Sequence, residues 1–468
     1  MFIPIIKKVF PFFVLMLLLS SCMRVDTNPQ PTFSQVQEAI TNLTGQNIYW
    51  DTSIQDSVTT ISAGDLLQKE LTGEFAVQIA LLNNQNLQGT YESLGIAKAQ
   101  LAQAGLLKNP IFSFSYRFST QSAVTDLIDI SLFQNFLEIL LIPLKKRMAQ
   151  AELEAAQAMV TTQVLDVIAE TKIAFYRLQA AEQIWKLKKQ ILLATQLSYE
   201  AAQRLFEAGN IKDLQVSMER SLYEQSKLEV ASWEIAVLEA REKLNILMGL
   251  WGYQIDWKIA LGLPAIPMEE KDFKDVENDA IMSSIDLRVA YKRILATAAG
   301  FGIDTTKLVF PQLDIGVSSE RDDSVWYVGP AFSLAIPLFD FGQANSAKAQ
   351  AKIMQEWNQY TALAIEIRSK ARSSRFSLLN AFRQSRYLEK IIVPLAEQIT
   401  HSTLLQHNAM QLGIFHLLSA KREELEKKIQ SIHMQQEYWR SKVALQTLLK
   451  GHVLGKHLFE MPLRKHYE

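Results

Sequence analysis

The side chains with the widest chemical repertoire gather at one end of the chain. All seven histidines, His401, His407, His416, His433, His452, His457 and His466, follow residue 400. Imidazole is a common ligand for transition metals, and His407 and His416 bracket Met410, whose thioether is a soft donor. Their spacing argues for the plainer role. No two histidines stand four apart, so no helical face presents a ligand pair, and solvated or packed imidazoles are expected instead. A search for acid–base or nucleophilic machinery ends the same way, with no Ser-His-Asp order, phosphate-cradling glycine loop or metalloprotease motif. The chain reads as a non-enzyme without catalytic residue, metal site or cofactor.

One residue invites covalent chemistry. Cys22 is the single cysteine, and it follows "KKVFPFFVLMLLLSS", in which Lys7 and Lys8 make a basic region and Val9 to Leu19 an apolar one. That apolar run is too short to span a bilayer, so residues 1–21 read as an export signal. Leu19-Ser20-Ser21-Cys22 resembles the bacterial lipobox, which implies a covalent lipid on Cys22. Under that resemblance Met23, standing where an Asp would signal inner-membrane retention, points to the outer membrane. A lone cysteine also excludes an intramolecular disulfide.

Charge narrows the partners. Forty-eight Lys and Arg face 49 Asp and Glu, with no block of one sign, so nucleic acid has no basic surface to bind. A hydrophobic share of 48% indicates an ordered chain with ample core.

The elements that must position these residues come twice. "ALLNNQNLQ" (80–88) lies against "AIMSSIDLR" (280–288), and "RMAQAEL" (147–153) against "AKAQAKI" (347–353), both 200 apart. "LFEAGNIKDL" (205–214) answers "AMQLGIFHLL" (409–418), setting Gly209 against Gly413. "LNILMG" (244–249) answers "LQTLLKG" (445–451), setting Gly249 against Gly451. Colinear blocks at nearly one spacing indicate a duplicated structure. The expected layout is an N-terminal extension over 22–61, a first repeat over 62–262, a second over 263–455, and a tail over 456–468.

Each repeat reads as a helical segment (62–107 and 278–307), two strands, and two long helices. Phe112, Phe114, Tyr116 and Phe118 alternate with Ser113, Ser115, Arg117 and Ser119, the period of a strand with one apolar face. Leu313, Ile315 and Val317 alternate likewise, and "DLIDISLF" (126–133) and "GPAFSLAIPLF" (329–339) supply partners. The strands fall at about 110–136 and 309–339. Leu144 to Ala208 contains neither glycine nor proline, about 96 Å of helix at 1.5 Å per residue. Long hairpins are expected over about 144–249 and 343–451, the second interrupted only by Pro394. Each chain leg would run out about 100 Å and return. Gly209 and Gly413 are expected to end the outgoing helices in the left-handed cap conformation.

"AKAQLAQAGLLKNPIFSFS", "FSLAIPLFDFGQANSAKAQA", and the turns "EAGNIKDLQVSMER" and "QLGIFHLLSAKREE" resemble the TolC-type outer-membrane efflux proteins over about residues 60–455. The resemblance implies a mainly α chain with a small β part. Duplicated helical hairpins would form a trimeric α-barrel tunnel, and four strands per chain would contribute to a twelve-stranded transmembrane β-barrel. It implies a homotrimer in outer-membrane lipid, fed by an inner-membrane pump through a periplasmic adaptor. The adaptor would meet the hairpin tips at Gly209, Asn210, Asp213, Gly413 and Ile414, and the periplasmic aperture would fall at Ser419, Arg422 and Glu423. The family's acidic aperture positions match Ser419 and Arg422 here. "ISLFQNFLEILLIPLKKRM" also departs, lacking the family's glycine and being more apolar. Two other classes fit less well: a periplasmic adaptor lipoprotein needs one hairpin with β-rich domains, and a lipid-anchored hydrolase needs a nucleophile. A type I secretion channel shares the same architecture.

Overall fold

Asn135 decides where the first long helix starts. Its Oδ1 accepts the backbone N–H of Glu138 at 3.0 Å, so it caps a helix that begins eight residues before the expected Leu144. Pro143 lies inside that helix, where Leu137 and Leu141 pack with Ile303 and hold the first turns in place. As the eighth residue of the helix, Pro143 lies beyond the first turn and leaves the Ile139 carbonyl without its usual i+4 N–H donor.

The structure, a computed structural model, describes residues 25–50, 67–68, 70–120, 125–260, 262–309, 313–322, 325–336 and 338–455. The signal segment, Cys22, His457, His466 and the tail from 456 lie outside them. In chain order the described elements are α1 (Gln30–Thr44), α2 (Gly73–Asn83), α3 (Gln85–Ala104), β1 (Ile111–Arg117), β2 (Leu127–Asn135), α4 (Phe136–Glu207), α5 (Asp213–Met248), α6 (Val276–Ser283), α7 (Ile285–Val309), β3 (Leu313–Asp322), β4 (Val325–Leu334), α8 (Gln343–Tyr387), α9 (Val393–Asn408) and α10 (Ile414–Leu449). They fall into two compact units.

The first unit takes in the described residues to Ser34 with Glu92–Gln157 and Tyr291–Trp357. Its centre is one antiparallel sheet in the order β1-β2-β3-β4. Register aligns the alternating patterns of all four strands. Phe114 pairs with Ile130, Leu132 with Val317, and Ile315 with Phe332, so the apolar positions share one face. Ser113 with Ser131, Ser131 with Ser318, and Glu320 with Tyr327 occupy the other, where Arg117 and Asp129 form a cross-strand ion pair.

The second unit takes in Gln35–Tyr91, Ala158–Ala290 and the described residues from Asn358 onward. It has two equivalent cores. Ala80, Leu178, Leu247 and Met248 pack in one, and Ala280, Leu378, Tyr438 and Leu448 in the other. The expected single helical segment before each strand pair is broken in both repeats at matching positions. Asn84 separates α2 from α3, and its Oδ1 accepts the Leu87 N–H at 3.1 Å. Ser284 separates α6 from α7, and its Oγ accepts the Leu287 N–H at 3.1 Å. Each break is a side-chain cap in mid-run, which hydrophobic periodicity does not reveal.

The return arm of the first hairpin is half as long as the outgoing one. α4 has 72 residues but α5 only 36, about 54 Å, so α5 pairs with the last part of α4, as the Tyr199–Tyr223 stack at 6.0 Å shows. Pro394 does not break its helix. A single π turn over Leu388–Ile392 precedes it, with the Val393 N–H bonding the Leu388 carbonyl, which makes room for the proline ring.

Candidate functional site

The two hairpin turns close by the same backbone device but with different residues. At the first, the Asn210 N–H donates to the Leu205 carbonyl and the Gly209 N–H to the Phe206 carbonyl, both at 2.8 Å. Gly209 is left-handed, with φ +75°, which completes a Schellman cap. At the second, the Gln411 N–H donates to the Gln406 carbonyl and the Met410 N–H to the His407 carbonyl, both at 2.9 Å. The left-handed residue there is Met410, with φ +60°, and not the expected Gly413. Gly413 is the extended residue in front of α10, the place that Lys212 holds in front of α5. The true alignment of the turns therefore pairs Gly209 with Met410. Matching glycine to glycine shifts the register by three.

A left-handed residue with a side chain costs about 1–2 kcal/mol. Met410 is 95% exposed, so its side chain recovers none of that by packing. Met410→Gly is expected to stabilise the second hairpin by about 1 kcal/mol, read as a rise in the denaturation midpoint of the solubilised protein. An unchanged or lower midpoint contradicts the assignment.

Gly209, Asn210, Asp213 and Gly413 are exposed and Ile414 is half-buried, so the turns present backbone and short side chains to solvent. His407 serves the turn itself, its Nδ1 lying 3.0 Å from the Leu412 carbonyl oxygen. Of the residues expected at the aperture on α10, Ser419 and Glu423 share an exposed face and Arg422 is half-buried. The carboxylate that α10 buries is the neighbouring Glu424, which accepts from Lys421 and Lys428 at 2.8 Å each. Burial pulls its pKa upward, but the two lysines and Thr400 outweigh that and hold the carboxyl below its ordinary range.

A second charged knot lies farther from the turns. Lys188 on α4 donates at 2.9 Å to Glu229 on α5 and at 2.9 Å to Glu426 on α10, so one buried ammonium ties the two hairpins together. Burial opposes its charge, yet the two carboxylates win and raise its pKa. His433 sits nearby against Trp233, at 5.8 Å between rings, and burial together with Lys188 lowers its pKa. Neither Lys188 nor Glu424 stands out in sequence, because the helical phase that brings each to its partners depends on three or more helices. Among the described residues, no group of three His, Cys, Asp or Glu side chains is placed to hold a metal ion.

The sheet is the other functional surface. Phe112 and Phe114 on β1, Val317 on β3, and Val328 and Phe332 on β4 are exposed on its apolar face. Among the described residues, β1 and β4 each leave one edge unpaired. A four-stranded sheet with an exposed apolar face and two long helical hairpins match channels of known structure. The chain superimposes on the outer-membrane channel OprN with TM-score 0.65 at 19% identity, covering 86% of this chain and 94% of that one. It superimposes on CusC with TM-score 0.64 at 14% identity, covering 86% and 97%. In sequence it is 23% identical to the cobalt-zinc-cadmium resistance protein CzcC of Cupriavidus metallidurans over 372 residues, 77% of this chain and 85% of that one. The chain has the fold of the TolC-type outer-membrane channels. The solved neighbours are transmembrane and outer-membrane channels. The chain is also 24% identical to the efflux pump outer-membrane protein TtgC of Pseudomonas putida, with 46% of each chain matched. No family model matches it.

Proposed function

We propose that the chain is one subunit of a homotrimeric channel of a tripartite efflux system, anchored by lipid on Cys22. The observation that carries this reading is the sheet with one apolar face and two free edges. In hydrocarbon an unpaired strand edge leaves peptide groups without partners, so a membrane sheet must close on itself. Four strands are too few, and bacterial barrels start at eight. Three copies supply twelve.

The channel has no chemistry of its own. An inner-membrane pump supplies energy, and a periplasmic adaptor meets the exposed turns at Gly209, Asn210, Asp213, Gly413 and Ile414. Ser419, Arg422 and Glu423 line the periplasmic aperture, and the buried Glu424 beside them fixes the rotation of α10. Opening moves the second hairpin against the first, a change between two packed states biased by adaptor contact. Lys188 resists that movement, since it ties α10 to α4 and α5.

The cargo reading follows the relatives. CzcC, named for resistance to cobalt, zinc and cadmium, aligns over a far larger share of this chain than TtgC does, which favours divalent metal ions. Cells lacking the protein, loaded in parallel with divalent metals and with hydrophobic dyes, are expected to accumulate the metals. Retention of dyes alone would assign it to a multidrug system. No change in either would point to protein secretion.

A further inference from the structure

The first three turns of α4 change character along their length. Phe136, Leu140 and Pro143 are exposed at i, i+4 and i+7, so one face of the helix offers apolar surface to the outside. The next turn is Lys145, Lys146 and Arg147. Lys145 pairs with the buried Glu138, but among the described residues Lys146 and Arg147 meet no carboxylate and both are exposed. α4 also follows directly on β2, so this apolar face begins where the strand ends.

A cavity of about 870 Å³ opens beside the two free cations, between the end of α3, the early turns of α4 and the middle of α7. Leu101, Leu106, Leu295 and Ala299 give it apolar walls. Its other cations are already neutralised, Lys98 by Asp26 at 2.9 Å and Lys292 by Glu154. Gly105 allows the aliphatic stem of Lys146 to lie against the end of α3, since a Cβ there would come within 2.6 Å of Lys146 Cε. Val25, which also lines the cavity, is three residues from Cys22 and so within about 11 Å of chain from it.

We propose that this cavity is a binding site for an anionic phospholipid of the periplasmic leaflet. Phe136, Leu140 and Pro143 lie at acyl-chain depth, and Lys146 and Arg147 hold the lipid phosphate. An apolar helix face ending in unpaired cations is the pattern of a segment that crosses from acyl chains into headgroups. The lipid proposed above for Cys22 would tether the same level of the molecule to the membrane surface. The proposal rests on the outer-membrane channel reading and adds that the membrane reaches past the strands onto α4.

Two measurements on the full-length protein test it. Acylation leaves Cys22 no free thiol, so Leu140→Cys and Gln150→Cys each accept a single spin label in vesicles of phosphatidylethanolamine and phosphatidylglycerol. The label at 140 is expected to collide with oxygen and the label at 150 with a water-soluble nickel chelate. A label at 140 accessible to the nickel chelate, or to neither reagent because another copy covers it, overturns the proposal. In native mass measurements, the variant carrying Lys146→Gln and Arg147→Gln is expected to hold phosphatidylglycerol about 30-fold more weakly, the loss due to two cations at a membrane surface. Unchanged retention, or displacement of the lipid by inorganic phosphate alone, contradicts a lipid site. The oligomeric state of both variants is read in parallel, so that a failed assembly is not mistaken for a failed lipid site.

Discussion

Gly249→Ala and Gly451→Ala are expected to be strongly destabilising. Each glycine ends the return helix of its repeat in a left-handed conformation, with φ +66° and +103°. Each also packs against the break in the preceding helical segment. A Cβ on Gly249 would collide with the Asn83 carbonyl oxygen and come within 2.9 Å of its carbon. A Cβ on Gly451 would collide with the Ser283 carbonyl oxygen and come within 2.9 Å of the Ile285 nitrogen. The surroundings cannot yield. The Asn84 amide donates to the Leu247 carbonyl at 2.9 Å, and the Ile285 N–H donates to the Gly451 carbonyl at 2.8 Å. Strained backbone and steric overlap together should cost about 3 kcal/mol or more in each case. Gly252 separates the two terms, being left-handed at φ +60° with open space around it. Gly252→Ala should therefore cost only the conformational part, about 1 kcal/mol. Equal shifts in denaturation midpoint for Gly249→Ala and Gly252→Ala would contradict the packing account.

The second large effect is expected from pH acting on His452. Its Nδ1 lies 2.8 Å from Asp286 and its Nε2 2.9 Å from Asp166, so one imidazole joins α4, α7 and the segment after α10. Asp286 is held in turn by the Val453 N–H at 2.8 Å. Burial disfavours the imidazolium, but the two aspartates outweigh it and raise the pKa from 6.5 to about 9. A raised folded-state pKa means that the folded form binds the proton more tightly than the unfolded form does. The stabilisation is then complete below pH 6.5 and is lost as pH rises through about 9. Its size is about 3 kcal/mol. The denaturation midpoint of the solubilised protein should fall between about pH 6.5 and 9, and His452→Gln should be less stable and largely flat across that window. A wild-type midpoint that does not move there would remove the charged pair from the account.

Much of the architecture was legible because it rests on periodicity. Alternation placed the four strands and their faces, and the 200-residue echo between Ala80 and Ala280 indicated two equivalent repeats. What escaped depends on single side chains acting on backbone. Asn84, Asn135 and Ser284 set helix ends by capping, and none is distinguished by its neighbours in sequence. Met410 hid the second turn because a left-handed methionine is uncommon, while Gly413 three residues on drew the alignment toward itself. The individual partners of the histidines were likewise not legible. His407 bonds its turn, His433 packs on Trp233 and His452 joins two aspartates, three separate structural roles set by tertiary packing.

The central claim is that the free edges of the sheet close against neighbouring copies, and disulfide cross-linking between those edges measures it directly. Ser113→Cys on β1 is combined in one chain with cysteine at Tyr327, Gly329, Ala331 or Ser333 in turn, the polar-face positions of β4. On oxidation in native membranes, at least one pairing should yield covalent species of two and three chains and none larger, while each single substitution should yield at most pairs. Chains that stay uncrosslinked at all four positions, or ladders that extend beyond three, would contradict a barrel built from three copies.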